Sequence, residues 1–261
     1  MPTVSHPYLS QPPIIFAHRG GGREAPENSW TALSHTRDLG LRYLETDAHI
    51  TADGQIILSH DPTVDRTLTG SGLISQLTWS EISRMRDTAG DPPVRLIDAL
   101  DAFPELHFNI DAKSNAVAGP LARLARYYTD RMCLASFSDR RLALIRDVNP
   151  HVAVSIGQEA TARLVSLSVL PERAAVARAR RIPAIAAAIA AQVPAAFRGI
   201  PVTTRKFVDL CHALNMQVHV WTVDDAPQMR RLLNLGVDGI VTDRPAHALE
   251  VIGPDGAGTT R

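Results

Sequence analysis

Three runs decide the reading: Ile14-Ile15-Phe16-Ala17-His18-Arg19-Gly20, then Leu44-Glu45-Thr46-Asp47-Ala48-His49-Ile50, then Gln55-Ile56-Ile57-Leu58-Ser59-His60-Asp61. The first and third are short apolar segments bounded by turn residues, the pattern of a buried strand. His18 and His60 directly follow them, so both imidazoles are expected at strand C-terminal ends. A strand's side-chain period of two places Glu45 and Asp47 on one face. Carboxylates facing one way repel each other unless a cation lies between them. Paired oxygen ligands with imidazoles nearby suit one hard divalent ion, Mg²⁺ or Ca²⁺, together with general acid–base chemistry on a phosphate ester. Taken singly, each residue has an ordinary explanation: a histidine in a core, acids on a solvated face. Their combination within one short stretch, with an arginine and several glycines, points to a catalytic site.

Outward from this stretch, strands and helices alternate. A helix is expected from Asn28, read as its N-cap, to Leu39, with Gly40 as the stop. Asp53-Gly54 is a turn between the second strand and the run that ends at His60. Residues 62–104 break the alternation and read as an insertion able to cover the site. Residues 106–111 form the next strand, which gives Asp111 and Lys113 the same two-residue spacing as Glu45 and Asp47. Further strands are expected at 132–136, 152–156, 185–193, 217–223 and 237–242, with helices between them. Alternation over this length points to a parallel sheet closed as a (β/α)8 TIM barrel, with a small insertion after the second strand. In that fold the chemistry sits at strand C-terminal ends, where every residue singled out falls. A single domain is expected over 10–252, with flexible termini at 1–9 and 253–261.

Composition narrows the partners. The chain has 261 residues, 45% of them hydrophobic, enough for one large α/β domain. Its formal net charge is zero, which supplies no electrostatic footprint for nucleic acid or an anionic bilayer. Cys133 and Cys211 lie in apolar surroundings without metal-site spacing and read as buried free thiols. Residues 1–13 carry prolines and polar residues in place of a basic patch and an apolar run, so no secretory signal is expected and the location reads as cytoplasmic. The alanine-rich run 182–197 is interrupted by Pro183, Gln192 and Pro194 and falls short of the ~20 residues of a membrane span. It is read as a loop and a buried strand. No exposed apolar loop, no basic surface and no stable membrane insertion are expected, and the oligomeric state is left open.

His18-Arg19-Gly20, Pro26-Glu27-Asn28, Glu45-Thr46-Asp47, Thr51-Ala52-Asp53-Gly54 and His60-Asp61 occur in that order. Asn109-Ile110-Asp111-Ala112-Lys113, Val220-Trp221-Thr222-Val223 and Gly239-Ile240-Val241-Thr242-Asp243-Arg244-Pro245 follow. The series resembles the signature of the glycerophosphodiester phosphodiesterase family. The resemblance implies metal-dependent hydrolysis of a small glycerophosphodiester to glycerol 3-phosphate and an alcohol. It implies a metal held by Glu45, Asp47 and Asp111. Asp111 stands where the family usually has glutamate; it is one methylene shorter, a distance that a bridging water can make up. His18 and His60 would be the general base and general acid. Arg19, whose planar fork suits phosphate, and Lys113 would contact the substrate, and Trp221 would pack on the glycerol or the leaving group. His49 and Asp243 are read as structural. Two alternatives stand beside this one: a phospholipase D-like enzyme acting on lyso- or sphingophospholipids, and a non-catalytic barrel that binds phosphodiesters.

Overall fold

Alternation within the strands builds two separate cores. In β1 (Ile14–His18), β2 (Tyr43–Ile50) and β3 (His107–Ala112), one set of alternate residues faces the helices and the other faces the barrel axis. Ile15, Ala17, Leu44, Phe108 and Ile110 join the large apolar layer between sheet and helices. Ile14, Phe16 and Tyr43 belong to a smaller interior cluster with Cys133, Ala153 and Val241. Further along, the same inward set becomes polar: His18, Glu45, Asp47, Asn109 and Asp111. The sequence period of two therefore carries each strand from an apolar plug to a polar mouth.

The computed structural model describes residues 6–253. Among the described residues, eight parallel strands form the barrel, completed by β4 (Met132–Ala135), β5 (Ala153–Val154), β6 (Ala190–Pro194), β7 (Gln217–Trp221) and β8 (Gly239–Thr242). The hydrogen-bonded order runs from β5 through β4, β3, β2, β1, β8 and β7 to β6. The remaining seam is closed by short contacts: Ile189 N donates to Val154 O at 3.0 Å and Ile156 N to Ala190 O at 3.1 Å. This is the expected (β/α)8 fold. No helix among the described residues is long and apolar enough to cross a membrane.

The expectation of a loose lead-in over 1–9 fails from His6 onward; residues 1–5 lie outside the described residues. Tyr8 is completely buried and packs edge-on against Tyr43, with ring centroids 5.5 Å apart. Tyr43 Oη donates to Tyr8 O at 2.6 Å and to Ser10 Oγ at 2.8 Å, and Gln217 Nε2 donates to Ser10 O at 2.9 Å. The lead-in closes the bottom of the barrel because inward Tyr43 and Gln217 carry polar atoms that burial obliges them to satisfy. The expected tail from Gly253 lies outside the described residues apart from Gly253 itself, and helix Pro245–Ile252 precedes it.

Residues 62–104 also divide differently from expectation. Ile56–Leu58 folds back antiparallel on β2, and Ile57, Val64, Ile74 and Ile82 form a small core of their own. Helix Leu96–Ala102, by contrast, buries Leu96, Ala99 and Leu100 in the main barrel layer. In the run expected as a strand over 185–193, Pro183–Ala186 forms a helical turn and the strand starts at Ala190. Alanine has the highest helix propensity, and Pro183 is preorganised for the first helical position.

Gly20 is fixed by geometry. It has φ of 80°, and a Cβ there would stand 2.5 Å from the Cβ of Ala32 in helix Trp30–Asp38. Gly20→Ala is expected to lower stability by about 1–3 kcal/mol, read as a reduced denaturant midpoint with an unchanged slope.

Candidate active site

Strand register brings the acids together. Asp47 of β2 lies directly beside Asp111 of β3, Glu45 beside Asn109, and His18 of β1 beside Glu45. The site residues expected from β1 to β3 thus converge at one rim. Lys113 Nζ sits 2.6 Å from Asp47 Oδ1 and 2.8 Å from Asp111 Oδ2. Arg19 Nε lies 3.2 Å from Asp47 Oδ2, without hydrogen-bond alignment. Among the described residues, no set of three or more acids, histidines or cysteines is gathered as a ready-made metal cage. Instead, a lysine ammonium occupies the space between two of the acids. Glu45 Oε2 and Asp111 Oδ1 are buried without a hydrogen-bond partner, and Asn109 Oδ1 shares that condition.

Burial and crowding set the charge states. Burial first, and the Asp47 charge second, push the Glu45 carboxyl up to about 7. Burial also lifts Asp111 above the usual carboxylate range, partly offset by Lys113. Asp47 moves the other way: burial opposes its charge, but Lys113 and Arg19 outweigh that and hold it low. The balance follows from distance, because at an effective dielectric near ~20 two unit charges ~4 Å apart interact by ~4 kcal/mol, and Asp47 has two cations within reach.

Each histidine is held by its own carboxylate. Asp243 Oδ1 lies 2.6 Å from His18 Nδ1, and Asp61 Oδ1 lies 2.8 Å from His60 Nδ1. An ionised carboxylate only accepts, so each Nδ1 carries the hydrogen and Nε2 is the atom left for chemistry. His18 Nε2 stands 3.6 Å from Glu45 Oε2. Burial opposes charging of the His18 ring, but Glu45 and Asp243 prevail and raise its pKa above 6.5. Asp61 in turn receives Arg66 Nε at 2.6 Å, while the Arg66 fork grips both oxygens of Glu27 at 2.7 and 2.8 Å. The Arg66 and His60 hydrogen bonds draw the Asp61 carboxyl down to about 2. Glu27 also accepts from Arg19 Nη1 at 3.2 Å, so one arginine of the insertion ties both a histidine and the Arg19 guanidinium into place.

Two residues read as structural prove to touch the site. Asn28 is not the helix cap: Ser29 accepts from Ala32 N at 3.0 Å in that role. Asn28, with φ of 54°, donates from Nδ2 to Asp47 Oδ2 at 3.4 Å and accepts from Thr46 Oγ1 at 2.7 Å. The other is Asp243. The strand-end rule that selected His18 applied equally to it, just past β8, and was the signal available. Glu27 stood in the quoted Pro26-Glu27-Asn28 motif without an assigned role, and Arg66 could be found only through the folded-over insertion. His49 remains structural, with Nε2 3.3 Å from His60 O. Trp221 ends β7 across the barrel from the acids, its ring 5.4 Å from that of Phe137 in an edge contact.

A barrel mouth with clustered acids and cations, one carboxylate-held imidazole at a strand C-terminus and a second just past the segment that folds back on β2, suits hydrolysis of an anionic ester. Comparison with known proteins is specific about the class. Residues 18–247 match the model of the glycerophosphoryl diester phosphodiesterase family. A Mycobacterium tuberculosis protein described as "Probable glycerophosphodiester phosphodiesterase 2" is 34% identical over 236 residues, 88% of this chain and 87% of that protein. A glycerophosphodiester phosphodiesterase of Caldanaerobacter subterraneus is 28% identical, with 92% of this chain and 97% of that protein covered. In fold, the chain matches a glycerophosphodiester phosphodiesterase of Agrobacterium tumefaciens at a TM-score of 0.72 and 23% identity, covering 89% and 97% of the two chains. It matches an Oleispira antarctica phosphodiesterase at 0.74 and 19%, covering 92% and 97%. The chain belongs to the glycerophosphoryl diester phosphodiesterase family, and it is a phosphodiesterase.

Asp243→Asn removes a charge that favours the imidazolium, so the His18 pKa is expected to fall when its ring is titrated by NMR. The stability gained from charging His18 is present below its unfolded value near 6.5 and disappears as pH rises through the higher folded value. The variant should therefore lose stability mainly at acid pH, in denaturant titrations run across that range.

Proposed function

We propose that the chain hydrolyses glycerophosphodiesters to glycerol 3-phosphate and an alcohol, using a divalent cation, Mg²⁺ or Ca²⁺, held by Glu45, Asp47 and Asp111. His18 and His60 form the acid–base pair. The observation that carries the cation is the pair of buried oxygens without a hydrogen-bond partner, Glu45 Oε2 and Asp111 Oδ1. A buried acceptor without a donor costs about 1–3 kcal/mol, and more when charged. Three carboxylates in an oxygen-only set are the donor chemistry of a hard cation, so the residues fit the group. When bound, the ion would supply Lewis-acid neutralisation of the phosphoryl oxygens.

The protein's own groups account for the rest. Arg19, braced by Glu27, and Lys113 present fixed positive charge to the phosphate. With Nδ1–H committed to Asp243, His18 Nε2 takes the proton of the attacking oxygen: either a water, which gives glycerol 3-phosphate directly, or a glycerol hydroxyl of the substrate, which gives a cyclic phosphate that a water then opens to glycerol 3-phosphate. Glu45 and Asp243 raise the basicity of His18, which suits it to the base role. His60, held at Nδ1 by Asp61, delivers a proton from Nε2 to the leaving alcohol oxygen. Trp221 walls the opposite side of the mouth. The Oleispira phosphodiesterase of matching fold was solved with sn-glycerol-3-phosphate as product, which supports the glycerol side of the substrate. A purely binding barrel has no use for two imidazoles, each fixed by its own carboxylate.

His18→Ala and His60→Ala are each expected to reduce kcat by at least ~10² on glycerophosphocholine while leaving the circular dichroism unchanged. Near-normal turnover in either variant removes that histidine from the mechanism. Chelation with excess EDTA should abolish activity, and added Mg²⁺ or Ca²⁺ should restore it; turnover that persists in EDTA counts against the cation.

A further inference from the structure

Past β6 the chain reads Ala196-Phe197-Arg198-Gly199-Ile200-Pro201. Ala196–Phe197 and Ile200–Pro201 form a two-stranded antiparallel hairpin separate from the barrel sheet, with Phe197 paired to Ile200. Arg198 and Gly199 have φ of 48° and 80°, the positive pair required by a two-residue turn whose twist matches its strands. Directly opposed residues project to the same face, so Phe197 and Ile200 make one apolar knuckle. They are 57% and 66% exposed. This contradicts the expectation that no apolar loop is exposed, which the alternating pattern alone could not test.

The knuckle stands at the mouth end. Pro194, the last residue of β6, is the register partner of Trp221, so the hairpin rises beside that ring. Phe137, 48% exposed, follows β4 at the same end and touches Trp221. Among the described residues, Phe137 and Phe197 are the exposed phenylalanines, and both belong to this rim. Large apolar side chains gathered in water on one face mark an interaction surface. The cations say what it meets. The Arg198 guanidinium lies 5.4 Å from the Phe197 ring centroid at the tip, and exposed Arg140 follows Phe137 closely in sequence.

We propose that the 196–201 hairpin, with Phe137, seats the mouth of the barrel on a lipid surface whose headgroups carry phosphate. Phe197 and Ile200 enter the boundary of the acyl region while Arg198 stays at the level of the phosphates, as amphipathic elements do at a membrane interface. A net charge of zero gives no long-range attraction, so the contact is short-ranged and reversible and depends on the apolar pair. Docked this way, the acids and histidines face the surface.

Flotation of the full chain with vesicles of phosphatidylcholine and phosphatidylglycerol in equal parts tests this without reading turnover. The wild-type chain is expected to float, and Phe197→Ser with Ile200→Ser to reduce the bound fraction about tenfold or more. Arg198→Ala should weaken binding to the mixed vesicles more than to phosphatidylcholine alone. Hydrolysis of soluble glycerophosphocholine and the circular dichroism should not change in the double variant. Absence of wild-type flotation, or equal flotation of the double variant, overturns the proposal. So does a fall in glycerophosphocholine hydrolysis, which would place the hairpin in the substrate site. A concentration-dependent dimer that the double variant abolishes, with no flotation, would assign the knuckle to a second copy instead.

Discussion

Three carboxylates share one buried rim, and their mutual repulsion is the constraint to which the mouth of this barrel answers. Glu45, Asp47 and Asp111 come from adjacent strands whose register leaves them no room to separate. Lys113 and Arg19 hold Asp47 ionised, while Glu45 is driven towards the neutral form and keeps an oxygen without a donor. An arrangement of this kind is unfavourable for folding alone. The divalent cation proposed above would answer it, with oxygens of Glu45 and Asp111 as ligands.

The same strands that carry this charge also stabilise the barrel beneath it. Phe16, Tyr43, His107 and His219 pack in tilted contacts through the lower interior, with centroids of neighbouring rings 4.6 to 5.0 Å apart. His219 is fully buried, and burial pushes its ring down to about 4, so it stays neutral and serves packing and a hydrogen bond to Gln217. Histidine thus has two unrelated uses inside one barrel, separated by height along the strands. Near the axis floor it is an aromatic filler; at the rim, held by a carboxylate, it is the proposed base or acid.

Around the rim the polar and apolar walls are sorted by strand. β8, β1, β2 and β3 bring Asp243, His18, the acids and Lys113, while β4, β6 and β7 lead into Phe137, the exposed hairpin and Trp221. The insertion after β2 is anchored to the polar wall through Arg66, whose two carboxylate partners belong to separate loops. Since Glu27 and Asp61 respectively brace Arg19 and His60, the placement of the insertion aligns two of the groups proposed to act on the phosphate.

Local pattern determined a good deal of this. Period-two alternation and turn residues located most of the strands and put Glu45 and Asp47 on one face, and the strand-end rule located His18, because these depend on neighbours in sequence; His60 instead follows a segment that pairs antiparallel with β2 outside the barrel order. The Asn28 assignment failed for a related reason: capping propensity is local, but the side chain was claimed by Asp47 and Thr46 from another strand. Asp243 lies 225 positions from His18, and Arg66 reaches Glu27 across 39, so nothing in their own surroundings marks them as partners. Burial of Tyr8 and exposure of Phe197 and Ile200 are likewise invisible in a hydrophobicity pattern, which says how apolar a residue is and not what covers it. The sequence by itself determined the barrel and the side chains able to do chemistry. Only the tertiary structure decided which carboxylate holds which imidazole and which apolar residues face water, because pairing and coverage depend on where distant segments meet.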